Sequence, residues 1–215
     1  MSIRKSVLTC LAVLLCAGAV LAEEPIVPKE KILLWNGKDF TGWKLYLCDP
    51  KADVNAVWSV MDGVILCTGK PNGYMRTEKD YANYTFHVEW RWIAGKGNSG
   101  VLLHMREPDK VWPKSIECQL MSGNAGDFWL IGGTEVKEHV DKKKRRVAKK
   151  CVNAEKPLGE WNRYDIVCKG DKILPYINGV LVNEGTEATV CSGKICLQSE
   201  GKPIMFRNIY VEPAK

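Results

Sequence analysis

No stretch of this chain carries the apolar stripe of period 3.6 that a long amphipathic helix needs. That absence disfavours a helical bundle and any solenoid of long helices. Histidine is scarce: there are three, and none of His87, His104 and His139 is spaced with cysteine as a zinc ligand would be. There is no CxxC pair, no serine in a nucleophile-elbow pentapeptide, no phosphate-binding glycine loop and no dinucleotide fingerprint. The run Gly95-Lys96-Gly97-Asn98-Ser99-Gly100 is glycine-rich with the wrong spacing for either nucleotide motif, and reads as a tight connection whose amides, Asn98 included, line a cleft. No repeat of fixed period is present, which argues against a propeller.

What the chain does contain is the composition of a globular domain, 46% hydrophobic and 26% charged over 215 residues. Eight Trp is a high count, and 19 Gly and 10 Pro spread along the chain imply many turns. Arg4 and Lys5 precede an uncharged run from Ser6 to Ala22 that ends in Val20-Leu21-Ala22, the order of a secretory signal cleaved after Ala22. The expectation is therefore a signal over 1–22, a short leader over 23–30 and one domain over 31–215, exported to the periplasm or cell exterior without stable membrane insertion. Cys16 follows Val13-Leu14-Leu15, without the small residues that precede a lipidated cysteine.

Charge is concentrated. Lys137 to Lys150 holds eight Lys and Arg against Glu138 and Asp141, while the rest of the exported chain is close to neutral. A nucleic-acid surface would spread its cations over a face, so no nucleic-acid partner is expected. Lys142 to Arg146 reads as a solvent-exposed excursion that contributes little to folding. Seven of the nine cysteines lie beyond residue 22, an odd number that cannot all pair within the chain. Cys67, Cys118 and Cys168 read as small buried fillers, and Cys191 with Cys196 is the best-placed local pair for a disulfide.

Strand follows strand. Trp58 to Met61, Asp62-Gly63 and Val64 to Cys67 form a hairpin signal, since Asp-Gly accepts the positive dihedral angles of a tight turn. Tyr84 to Trp92 alternates, with Tyr84, Phe86, Val88, Trp90 and Trp92 on one side. Gly100 to Met105, Trp161 to Cys168, Lys172 to Ile177, Lys194 to Gln198 and Pro203 to Val211 continue the series, with Asn178-Gly179 as a second hairpin turn. Many such strands with no helices to cover them make a two-layer antiparallel sandwich or a barrel.

The chemistry concentrates in two of these runs. In Ile116-Glu117-Cys118-Gln119-Leu120, period two sets Glu117 and Gln119 opposite the apolar side chains. Ile195-Cys196-Leu197-Gln198-Ser199-Glu200 sets Gln198 and Glu200 opposite its own. Acids and amides on one strand face, with Trp rings nearby, are how a sheet binds sugar hydroxyls and pyranose faces. Trp112, Phe128 and Trp129, read as lying in connections, supply the rings; His104, between a glycine-rich loop and Trp112, and Asp127, beside Phe128, are further hydroxyl partners or structural residues.

Taken in order, Leu34-Trp35-Asn36-Gly37-Lys38-Asp39-Phe40-Thr41-Gly42-Trp43, Asn98-Ser99-Gly100-Val101, Ile116 to Leu120, Gly159-Glu160-Trp161-Asn162, Asn178-Gly179, Leu197-Gln198-Ser199-Glu200-Gly201 and Phe206-Arg207-Asn208-Ile209 resemble the 3-keto-disaccharide hydrolase family. The resemblance covers about residues 32 to 212. It implies a concanavalin-like jelly roll, a bacterial exported location, and hydrolysis of glycosides already oxidised to a ketone at sugar C3, by elimination then hydration in some members. The substrate is then an oxidised oligosaccharide or glycoside supplied by a separate sugar 3-dehydrogenase. No cofactor is required, and a divalent cation in the cleft is left open. Glu117 matches the family's inward glutamate, Gln119 and Gln198 its amides, and Arg207 the arginine of its closing strand. Glu200 stands in Gln-Ser-Glu-Gly where many relatives have Gln-Asp-His-Gly, so no histidine role transfers. The Glu-x-Asp-x-x-Glu strand of retaining glucanases is missing, which disfavours an ordinary two-carboxylate glycosidase. Glu117 and Glu200 are thus the expected catalytic pair. A non-catalytic carbohydrate-binding sandwich and a structural partner-binding role are the alternatives; carboxylates converging in one cleft favour the enzyme.

Overall fold

A computed structural model describes residues 23–151 and 153–215, and the expected signal over 1–22 lies outside the described residues. Sixteen strands among the described residues divide into two sheets. One, here the back sheet, holds β1 (Ile32–Leu33), β3 (Trp58–Met61), β4 (Val64–Cys67), β7 (Tyr84–Trp92), β12 (Asn162–Lys169), β13 (Lys172–Ile177), β14 (Val180–Leu181) and β16 (Ile204–Pro213). The other, the cleft sheet, holds β2 (Trp43–Leu47), β5 (Gly73–Thr77), β6 (Tyr81–Ala82), β8 (Gly100–Met105), β9 (Ser115–Gln119), β10 (Phe128–Ile131), β11 (Arg146–Val147) and β15 (Ser192–Ser199). The back sheet runs β14-β13-β12-β7-β16-β4-β3 with β1 added to β16. The cleft sheet runs β11-β10-β9-β8-β15-β5-β2 with β6 added to β15. Every strand pair is antiparallel, so the fold is the two-sheet sandwich that the alternating runs require.

The two hairpin turns form as their residues dictate. Asp62 and Gly63 both have positive φ, 52° and 77°, and so do Asn178 and Gly179, at 50° and 86°. The single helix among the described residues, α1 (Val54–Val57), is capped by Asp53, whose side chain accepts a hydrogen bond from the Asn55 amide at 2.9 Å. Residues 23–30 are seated on the body, with Ile26 N–H donating to Asp80 O and Ile26 O accepting from Ala82 N–H.

Alternation sorts the side chains. Tyr84, Phe86, Val88, Trp90 and Trp92 of β7 are all buried and meet Val101, Leu103, Ile116, Cys118, Ile195 and Leu197 of the cleft sheet in one core. A second, smaller apolar cluster of Tyr74, Leu102, Met105, Ile131 and Cys196 covers the outer face of the cleft sheet. That face carries Glu117 and Gln119.

Two strands break their own parity: β16, whose register against β7 shifts between Arg207 and Tyr210, and β8. Between β8 and β15 the register shifts between Lys194 and Cys196, and His104 sits there with φ of 54°. Leu102 and Met105 belong to the outer cluster, whereas Leu103 packs in the core and the His104 ring lies 5.8 Å from that of Tyr84, edge to face.

Cys191 and Cys196, the best-placed local pair in the sequence, are not bridged; both are thiols. The chain between them is extended strand, which separates their Cα atoms by about 16 Å where a bridge needs less than about 7 Å. Cys191 instead donates to Ala188 O, and Cys196 is buried in the outer cluster. Cys67, Cys118 and Cys168 are buried fillers as expected.

Candidate active site

Strands β9, β8 and β15 lie side by side, and their outward residues make the floor of a cleft of about 200 Å³. Leu102, Glu117 and Trp129 face one another across β8, β9 and β10. Gly100 pairs with Gln119 in the next row. Gln198 and Glu200 arrive from β15 and its exit, where Glu200 bridges to Asn98. Trp112, Met121, Ile131 and Arg145 complete the lining.

Gly100 makes the convergence possible. A Cβ there would fall against Glu117 Oε1 and 2.7 Å from Gln198 Oε1. With only hydrogen at that position, the carboxyl and the carboxamide close over the backbone of β8. Neither of those two oxygens has a hydrogen-bond partner among the described residues, and nor does Asn98 Oδ1. Gln119 differs, since its Oε1 accepts from the backbone N–H of Leu120 at 3.0 Å and of Met121 at 3.1 Å. The carbonyl end of that amide is thereby occupied, and its amino group is what it offers to the cleft.

The electrostatics follow from burial. Glu117 is 6% exposed, and loss of hydration pushes its carboxyl up to about 8, with the negative charge of Glu200 adding to the effect. The Gln198 carboxamide and the Arg145 charge act in the opposite direction and are outweighed. Burial raises the half-buried Glu200 as well, opposed by its hydrogen bond with Asn98. At neutral pH Glu117 therefore keeps its proton. Among the described residues no three His, Cys, Asp or Glu side chains stand close enough together to hold a metal ion.

Of the residues singled out from sequence, Glu117, Glu200, Gln119, Gln198, Asn98, Trp112 and Trp129 line this cleft. His104, Asp127 and Arg207 do not. The bulge turns His104 inward, where it is fully buried and its Nδ1–H donates to Val190 O at 2.9 Å. Burial holds its pKa down at about 4, so it is a neutral structural residue. Asp127, 1% exposed, accepts from Arg146 Nε at 2.7 Å and from the Lys149 amide at 2.8 Å, and thereby anchors the basic run. Arg207 is on the back sheet, paired to Glu89 at 2.7 Å with its guanidinium 4.0 Å above the Trp161 ring.

Phe128 and Trp129 are not in a connection. They begin β10, and alternation sends Phe128 into the core and Trp129 into the cleft. The basic run is exposed as expected but is also built into the sheet: β11 pairs with β10, and Leu130 N–H donates to Arg145 O at 2.8 Å. Arg145, Met121 and Ile131 are the cleft residues that sequence reasoning passed over. The signal that could have found Arg145 is the alternation of Phe128 to Ile131, which marks a strand needing an edge partner.

An antiparallel sandwich with acids, amides and tryptophans gathered on the outer face of one sheet is the build of a jelly-roll carbohydrate-active protein. The model of the 3-keto-alpha-glucoside-1,2-lyase-like domain matches residues 30–212, and the chain belongs to that family. No curated protein matches the chain in sequence. Among solved structures, a candidate glycosyl hydrolase from Parabacteroides distasonis is 24% identical with a TM-score of 0.65, over 87% of this chain and 95% of that one. Carbohydrate-binding module CBM66 from Bacillus subtilis is 11% identical with a TM-score of 0.59, over 80% and 95%. A Bacillus licheniformis beta-glucanase is 11% identical with a TM-score of 0.58, over 85% and 97%. These likenesses share the glucanase and lectin type of jelly roll. No helix among the described residues is long and apolar enough to cross a membrane.

Proposed function

We propose that this protein cleaves the glycosidic bond of a glycoside carrying a ketone at sugar C3, by elimination followed by hydration. The observation that carries the reading is a carboxyl, Glu117, held protonated to about 8 by burial in the same cleft as a second, more exposed carboxyl, Glu200. Two acids pushed apart in this way divide the roles of acid and base. A C3 ketone acidifies the C2 proton. Glu200 takes that proton, the electron pair moves into an enolate across C2 and C3, and the Gln119 amino group donates to the C3 oxygen. The C1–O bond then breaks, and Glu117 gives its proton to the departing glycosidic oxygen. Water adds to C1 of the unsaturated ketone, returning its proton to Glu117, while C2 recovers the proton held by Glu200. The sum is one water consumed and no redox change. The oxidation that creates the ketone belongs to a separate sugar 3-dehydrogenase, and the signal-like segment 1–22 supports meeting that substrate outside the cytoplasm.

The test is Glu117→Gln assayed on a 3-keto-glucoside and on its unoxidised parent. The substitution keeps size and hydrogen bonding while removing the transferable proton, so turnover of the ketone should fall by about 10²–10⁴-fold with a smaller change in KM. The parent glycoside should be a poor substrate for both proteins. Equal hydrolysis of oxidised and unoxidised sugars would remove the elimination mechanism, and binding with no turnover of either would favour a non-catalytic carbohydrate-binding sandwich.

A further inference from the structure

The basic run from Lys142 to Lys150 divides its cations by what they touch. Lys142 pairs with Glu135 at 2.7 Å, Lys144 with Asp141 at 3.2 Å, Arg146 with Asp127 at 2.7 Å and Lys150 with Glu184 at 3.1 Å. Lys149 Nζ donates to the carbonyls of Gly123 and Ala125. Arg145 is the member whose side chain lines the cleft, and its guanidinium makes no hydrogen bond or ion pair among the described residues. The backbone is nevertheless fixed there, because Leu130 N–H holds Arg145 O at 2.8 Å beside the β10–β11 pairing. A guanidinium on a rigid edge, aimed at a binding cleft and left without a counter-ion, is a receptor for an oxyanion.

Its place in the cleft sets the direction. Glu117 sits on β9, with Trp129 directly opposite on β10 and Arg145 on the β10–β11 side. Glu200 and its partner Asn98 stand on the other side, at the exit of β15. Arg145 therefore stands at the Glu117 end of the cleft, where its charge acts on that carboxyl, whereas Glu200 lies two strands further along the sheet. Glu117 holds its proton at neutral pH and does not cancel that cation.

We infer that the glycoside bound here carries an oxyanion substituent, a carboxylate or a sulfate ester, which Arg145 grips on the β10–β11 side of the bond to be cleaved. This rests on the proposed cleavage for the position of that bond, but the recognition itself is a matter of binding and can be measured without turnover. Methyl glucoside, methyl glucuronoside and methyl glucoside 6-sulfate, titrated by calorimetry, separate a neutral sugar from the two sources of negative charge. The wild-type chain should bind at least one charged sugar about tenfold more tightly than the neutral one at low salt, with the advantage shrinking as salt rises. Arg145→Gln should bring charged and neutral sugars to within about twofold of each other, and Arg145→Lys should restore part of the difference. The side chain is exposed and makes no hydrogen bond or ion pair among the described residues, so both variants should melt with the wild type. Equal affinity for all three sugars in the wild type would overturn the inference, as would a charge preference that survives Arg145→Gln. So would a fall in kcat on a neutral 3-keto-glucoside in Arg145→Gln with the charge preference intact, which would move Arg145 into the chemistry. Loss of the proposed reaction would register in the product assay alone and leave the binding ratios untouched.

Discussion

Replacing Glu117 with Gln should stabilise the protein at alkaline pH and leave it nearly unchanged at acid pH. The folded chain holds a proton on Glu117 up to about 8, whereas the unfolded chain releases it near 4.5. Between those two values the folded state binds more protons than the unfolded state, so stability falls as pH rises through the window and levels off above it. Each tenfold difference in proton affinity is worth about 1.4 kcal/mol, which sets a ceiling of about 5 kcal/mol on the destabilisation above pH 8. Water entering the cleft beside the ionised carboxylate and relaxation of Gln198 reduce that ceiling. For a chain of this length 1 kcal/mol moves the melting temperature by about 2–4 °C. Melting curves of wild type and Glu117→Gln from pH 5 to pH 9 isolate the effect, because every other titrating group is common to both proteins. The variant should melt at least about 5 °C above the wild type at pH 9, with the gap closing towards pH 5. A gap that does not depend on pH would refute the reasoning, since an amide and a neutral acid differ only slightly in size and polarity.

Gly100→Ala should fold, because its Cβ meets the far ends of Glu117 and Gln198 rather than backbone, yet it should displace both groups. Turnover of a 3-keto-glucoside is expected to drop by about tenfold or more with a melting temperature within a few degrees of wild type; a fully active variant would show that the two side chains have other productive positions. Asp127→Ala leaves Arg146 and the Lys149 amide without their acceptor and should cost about 1–3 kcal/mol, read as a lower melting temperature. The triple change Lys142→Ser, Lys143→Ser and Lys144→Ser should hardly move it, because the ion pairs of Lys142 and Lys144 are exposed; the reverse ranking would mean that the lysines rather than Asp127 dock the run.

Most strands were legible because period two runs through them, the bulged β8 and β16 being the exceptions. In β9, Ile116 and Cys118 point into the core and Glu117 and Gln119 away from it, as their order along the chain requires. Asp62-Gly63 and Asn178-Gly179 mark their turns for a reason of backbone sterics that needs no tertiary context. Period two names a face of a strand, however, and says nothing about which sheet that strand joins. Arg207 is directed away from the core just as Glu117 is, but β16 lies in the back sheet, so the two never meet. His104 was hidden by a bulge, which inserts one residue into the count and reverses every parity beyond it. Arg145 was hidden by its neighbours, because a run of cations reads as solvated chain unless a short strand such as β10 offers it an edge.

The order of strands has a consequence for how the chain is made. β15 lies between β8 and β5, and β16 lies between β7 and β4, so residues 192–213 supply an interior strand to each sheet. Before they are synthesised, the cleft sheet exists as two separate pieces, one ending at β8 and one at β5. The back sheet is likewise split between β7 and β4. A nascent chain at that stage offers four open strand edges, each able to pair with another molecule. Assembly cannot proceed domain-half by domain-half from the amino end, and the long-range pairing that completes it belongs to the slow, topology-limited class of folding. Pairing of β15 and β16 is thus what joins the two pieces of each sheet, and a chain cut before Ser192 should be left as an aggregation-prone pair of half-sheets.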